Sequence, residues 1–118
     1  MKITLARIKN MEKSLNKIIG QDTNIKSAFK LARILKMIEG ELKNVEEFRI
    51  KLINKYGTKD PKTEEIIVNK DNVQIFYKEL NELLQTEIDI DFSPVSCDEI
   101  GDIKISAIDA SVLDGIII

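Results

Sequence analysis

Glu87, Asp89 and Asp91 stand at alternate positions, and they form the one constellation in this chain whose spacing is suited to metal chemistry. Residues two apart on an extended strand share a face, and carboxylate oxygens suit Mg²⁺ or Ca²⁺. The plainer reading is a charged solvent face that stops a short strand from pairing edge to edge, and it carries more weight here. Asp98, Glu99 and Asp102 extend the negative region without the D-x-[DN]-x-[DN]-G order of a calcium loop. These six acids are read as a partner-binding edge able to steer a basic protein surface. No metal, cofactor or catalytic set is assigned.

The other reactive types are scarce. With no histidine in 118 residues, a Ser-His or Cys-His site is excluded within the chain. One cysteine and no histidine cannot make a structural zinc site. Cys97 is read as a partly buried small hydrophobe, because acidic Asp98 and Glu99 beside it do nothing to lower a thiol pKa. The five glycines are scattered and form neither G-x-x-x-x-G-K-[ST] nor G-x-G-x-x-G. A basic run is the competing feature: Lys9, Lys13, Lys17, Lys26, Lys30 and Arg33 suggest a phosphate-binding stripe for nucleic acid or nucleotide. Phe29 is the sole aromatic among them and sits where the helical pattern puts core, so base stacking has little support.

The elements that would carry these residues are mainly helical. Leu5, Ile8, Met11, Leu15, Ile18 and Ile19 recur at steps of three and four, which predicts an amphipathic helix over 5–19. Gly20 is expected to end it in a left-handed turn, with Asp22 or Thr23 capping the next helix. That second helix runs from Thr23 to Tyr56, roughly 50 Å at 1.5 Å per residue, and part of it must project or pair. Its seam is read as Ala28, Ala32, Leu35, Ile38, Leu42, Val45, Phe48, Leu52 and Tyr56, about every 3.5 residues.

Past Gly57, a loop with a small strand or hairpin leads to a third helix capped by Asp71 or Asn72. Its buried stripe is read as Val73, Phe76, Tyr77, Leu80, Leu83 and Leu84, facing the second helix as an antiparallel hairpin. Ile88, Ile90 and Phe92 alternate with the acids, predicting a half-buried strand that pairs with a second one at Ile103 and Ile105. A loop through Asp98 and Gly101 joins these strands. Ser106 and Asp109 suit the start of a short helix over 107–113, and the Ile116 to Ile118 tail is expected to dock on the core or on a second subunit. The fold class is therefore mainly α (α+β). One domain over 1–118 is expected, with a helical part at 1–85 and a small β and helix part at 86–118.

Charge divides along the chain. Residues 1–57 hold 13 basic and 6 acidic side chains, a balance of +7, whereas residues 58–118 hold 5 and 14, a balance of −9. Two halves that attract each other within one fold or across a dimer is the plainer explanation. No apolar run approaches the roughly 20 residues that span a bilayer, and Met1 to Gly20 lacks a signal-peptide core. A reducing, cytoplasmic setting without membrane contact is expected, with homo-oligomers formed through the seam.

The segment R-I-K-L-I-N-K-Y-G-T-K-D from Arg49 to Asp60, followed by E-L-N-E-L-L-Q-T-E-I from Glu79 to Ile88, resembles uncharacterised small helical proteins of tailed phages and prophages of Gram-positive bacteria. The likeness covers residues 24–91: a long helix with an aromatic-Gly-x-Lys-Asp exit, a turn, and a second leucine-rich helix running into an acidic strand. It implies a viral origin and no catalytic residue to carry over; together with a seam that outruns its own domain, the expectation is a phage-encoded, non-enzymatic protein-binding module in virion assembly or in inhibition of a host defence protein. The partner would then be a phage or host protein in the host cytoplasm.

Overall fold

The computed structural model describes residues 1–118. Helix α1, Leu5–Ile19, follows a short strand β1, Lys2–Thr4, and begins where the Thr4 hydroxyl accepts the Arg7 amide at 3.2 Å. Its face of Leu5, Ile8, Met11, Leu15 and Ile18 is buried, as the spacing predicts. Gly20 ends it in right-handed geometry, φ −74°, so no left-handed cap is used there. Helix α2, Ile25–Tyr56, is capped by Asn24, whose side-chain oxygen accepts the Ser27 amide at 2.9 Å, in place of the expected Asp22 or Thr23.

In its first half α2 buries Ser27, Leu31, Ile34 and Ile38, and leaves Ala28 and Ala32 exposed. Over its first three turns the buried stripe is thus rotated by about one residue from the expected seam, and it regains that seam at Ile38, Val45 and Leu52. The rotation turns Phe29 outward, 59% exposed, which corrects its assignment to the core.

Strands β2, Gly57–Lys59, and β3, Ile66–Val68, form the hairpin that reverses the chain. Gly57 is required there, since a Cβ would stand 2.5 Å from the Ile53 carbonyl oxygen and 2.7 Å from Ile66 Cγ2. A 3-10 turn at Lys70–Asn72 precedes α3, Val73–Leu84. Asn72 makes no side-chain cap; its amide donates to the Tyr56 carbonyl at 3.2 Å and ties the two helices of the hairpin together.

Strand β4, Glu87–Asp89, pairs with β1 in antiparallel register, Ile3 opposite Ile88. The expected strand at Ile103 and Ile105 does not form, and the strand that pairs with β4 is β1. Both isoleucines pack half-buried against the core. Where a loop was expected there is a single helical turn α4, Cys97–Ile100, capped by Ser96. Cys97 is exposed rather than partly buried. Helix α5, Ala107–Val112, is capped by the Ser106 hydroxyl. Of the terminal isoleucines, Ile116 docks on the fold itself, fully buried and with its carbonyl accepting the Val95 amide at 2.8 Å, Ile117 is half-buried, and the Ile118 side chain stays 63% exposed.

One cluster of 16 buried residues runs from Ile3 to Ile116 and takes side chains from both parts of the chain. Its outermost member along α2 is Val45. Helix α1 and helix α3, roughly 22 and 18 Å long, lie end to end along the roughly 48 Å of α2, and meet it together near Leu42 and Val45. Beyond that junction the molecule, 54 × 30 × 23 Å, thins to the α2–α3 hairpin and its β turn.

Candidate functional site

Residues 46–84 form the outer half of the hairpin. Fifteen apolar or aromatic residues fall in this stretch, and two of them, Leu52 and Phe76, are buried. Two helices in contact bury one stripe each, and α1 reaches this pair only at its inner end, beside Leu80 and Leu84. Phe48 is 39% exposed, Ile75 44%, Ile67 55% and Tyr77 56%, with Ile50 and Ile66 also in solvent. Tyr77 was expected in the buried stripe; it stands instead edge-on to Phe76 at 5.2 Å between ring centroids. An apolar surface of this extent, interrupted by charges of both signs, is the signature of a recognition surface rather than of a closed core. Ile66, Ile67 and Ile75 were absent from the sequence-derived site. Their one signal was an apolar count too high for a two-helix layer to bury.

The hairpin is fastened by polar contacts at its end. The Tyr56 hydroxyl donates to Glu79 Oε1 at 2.7 Å, and Lys55 Nζ lies 3.9 Å from the same oxygen and 5.0 Å from the Tyr56 ring centroid. Arg49 donates to both oxygens of Glu46 at 2.9 and 2.6 Å, and this bidentate hydrogen bonding holds the Glu46 carboxyl below its ordinary range.

The six acids named from sequence are all exposed, but they do not act alike. Asp89 lies 3.1 Å from the Met1 ammonium. Glu99 accepts from Lys30 at 2.9 Å, which lowers its pKa, with a further contribution from Lys26. Glu87, Asp91, Asp98 and Asp102 have no ion-pair partner, but they do not form one edge: Glu87 lies on β4 opposite Thr4, at the start of α1, whereas Asp98 lies on α4, whose Glu99 carbonyl meets Ser27 at the start of α2. Nowhere do three acidic or cysteine side chains converge as a metal cluster would require.

The candidate phosphate stripe is divided among separate surroundings. Lys9 borders a cleft of about 210 Å³ with Glu12, Glu46 and Arg49, whereas Lys13 and Lys17 border another of about 330 Å³ beside Asp109. Lys26 and Lys30 flank Glu99, and Arg33 stands exposed on α2. Lys17 and Lys30 thus meet the chain's own acids.

Asp109 was read from sequence as a capping residue and proves to be the hub of the most connected polar site. Its carboxylate accepts from Ser14 Oγ at 2.8 Å, Ser106 Oγ at 2.9 Å and Lys17 Nζ at 3.0 Å. The Ser14 hydroxyl lowers its pKa first, followed by Lys17 and Ser106. A carboxylate stabilised in this way is a weak base, so it does not activate Ser14 as a nucleophile. It fastens α5 to α1, as Arg7 does by donating to the Asp114 carbonyl at 2.7 Å.

No helix is long and apolar enough to cross a membrane. No family model matches the chain, and neither the curated proteins nor the solved structures yield a match.

Proposed function

We propose that this chain is a non-catalytic protein-binding module whose outer hairpin half and exposed carboxylates receive a partner protein. The observation that carries this reading is the outer half itself, with fifteen apolar or aromatic residues of which two are buried. Exposed apolar side chains on both helices and on the turn supply contact area. The free carboxylates of Glu87, Asp91, Asp98 and Asp102 supply orientation and encounter rate toward a basic surface. The resemblance to small phage proteins makes virion assembly, or inhibition of a host protein, the setting in which such a module would act.

The test is capture of a partner by the immobilised chain from phage-infected host cells. Ile67→Lys and Tyr77→Lys are expected to reduce capture at least tenfold with unchanged melting temperature, since both side chains are more than half exposed. Binding that persists between about 50 and 200 mM salt fits an apolar contact. A loss of several orders of magnitude over that range would instead favour phosphate binding by the basic residues. Reversing Glu87, Asp91 and Asp98 to lysine is expected to slow association and leave the fold intact, because none of the three carboxylates has a partner within the chain.

A further inference from the structure

We infer that one face of the outer hairpin docks a second copy of this chain, in a two-fold pair that lays α2 of each copy over α3 of the other. This rests on the reading of the outer half as a protein-binding surface and names the occupant of one of its faces. Phe48, Lys51 and Lys55 follow one another at steps of three and four, so they form a single strip along α2. Ile75, Glu79 and Glu82 do the same along α3. The 3.9 Å approach of Lys55 Nζ to Glu79 Oε1 sets the two strips side by side.

The resulting face carries one exposed apolar residue and two charges on each strip, and its charges are sorted by helix, positive on α2 and negative on α3. A patch sorted in this way is complementary to itself. A two-fold axis running along the hairpin places the α2 strip of each copy on the α3 strip of the other, so ammoniums meet carboxylates twice and Phe48 and Ile75 are covered in both copies. The product is a four-helix layer in place of a two-helix one. The rest of the outer half does not oppose the approach, since residues 46–84 hold seven basic and eight acidic side chains. The inner part differs, with ten basic against four acidic over 1–45, and one against eight over 85–118. A face bounded by the roughly 18 Å of α3 is small for a protein interface, which sets the expected dissociation constant in the micromolar range.

Lys51 and Glu82 are exposed and have no ion-pair partner within the chain, so their charges can be changed without breaking an internal contact. Sedimentation velocity of the pure chain from about 1 to 200 µM is expected to show a monomer–dimer equilibrium. Lys51→Glu alone and Glu82→Lys alone should each weaken it at least tenfold, because each neutralises one strip and sets like charges at positions 51 and 82 toward one another in both halves of the pair. An equimolar mixture of the two variants should recover pairing as a heterodimer, an outcome that a mere effect on folding would not produce. Ile75→Lys should abolish the dimer, and Phe29→Lys, at the far end of α2, should leave it unchanged. A monomer at 200 µM, a mixture that fails to recover, or a dimer lost only with Phe29→Lys would overturn the inference. In the monomer case, loss of heterologous capture by Tyr77→Lys would keep the wider protein-binding reading standing, and absence of any capture would remove both.

Discussion

Phe76→Ala is expected to open the outer half of the hairpin while the inner half stays folded. Phe76 is 6% exposed, and it and Leu52 are the two buried side chains of residues 46–84, with Ile53, Val73 and Leu80 half-buried beside them. Truncating a buried phenylalanine costs about 3–5 kcal/mol, and the lower end applies here because one wall of the site already faces solvent. Neither Phe76 nor Leu52 belongs to the 16-residue cluster that holds α1, the first part of α2 and the C-terminal elements together. The loss therefore falls on a region with little else to retain it. Amide exchange along α3, the β2–β3 hairpin and the end of α2 is expected to accelerate by roughly two orders of magnitude, the equivalent of about 3 kcal/mol of opening free energy. Amides of Ile8 to Ile18 and of Leu31 to Ile38 should keep their protection. A uniform acceleration along the whole chain would show that the two halves unfold as one unit.

The same division explains which parts of this structure were legible in the sequence. Helix α1 is legible in its extent and its apolar stripe because both are local, whereas its Thr4 cap has no counterpart in the sequence reading and Gly20 ends it without the expected left-handed turn. Helix α2 is legible in extent but not in rotation. Ala28 and Ala32 read as seam because small apolar residues fit either stripe. The structure buries Ser27, whose hydroxyl donates to the Glu99 carbonyl at 3.0 Å, 72 positions along the chain. Periodicity carries no information about such a partner. On α3 the error has the opposite sign: the stripe drawn through Tyr77 was as wide as a helix in a full core would need, whereas a two-helix layer covers a narrower one.

The β elements were hidden for a related reason. Three residues at Lys2–Thr4 are too few for any alternation to register, so the sequence points to Ile103 and Ile105 as the partner of Glu87–Asp89 in place of β1. The choice between two candidate edges is made by where α1 lies, since Leu5 donates its amide to the Thr86 carbonyl at 3.1 Å and brings β1 alongside β4. Of the candidate site, the acids and lysines were visible as types. Which of them pair, Lys17 with Asp109 and Lys30 with Glu99, depends on contacts 92 and 69 positions apart.

Asp109→Ala is expected to lower the melting temperature at neutral pH by several degrees, the largest effect of any single acidic residue in the chain. The residue is buried and takes hydrogen bonds from two hydroxyls and an ammonium. Truncation leaves the buried Ser14 hydroxyl without its acceptor, and a buried donor left unsatisfied destabilises more than a lost exposed bond does. Lys17→Ala should cost much less, because the Ser14 and Ser106 bonds survive it and the lysine is largely solvated.

The pH dependence follows from the direction of the shift. The folded structure lowers the Asp109 pKa, so folding favours the ionised form and the stabilisation is fully present above the ordinary carboxyl pKa, about 3.9. It is lost as pH falls through that value toward the lower folded-state one. Glu99 and Glu46, lowered by Lys30 and Arg49, add to the same acid limb from more exposed sites. Asp109→Asn should therefore flatten the decline of melting temperature between about pH 5 and pH 2 without abolishing it, and should do so by lowering stability at neutral pH rather than by raising it in acid. A decline as steep as in the unsubstituted chain would place the acid sensitivity in other carboxylates. The event at low pH is then release of α5 from α1, read by faster amide exchange over 107–112 while the Phe76 region is unaffected.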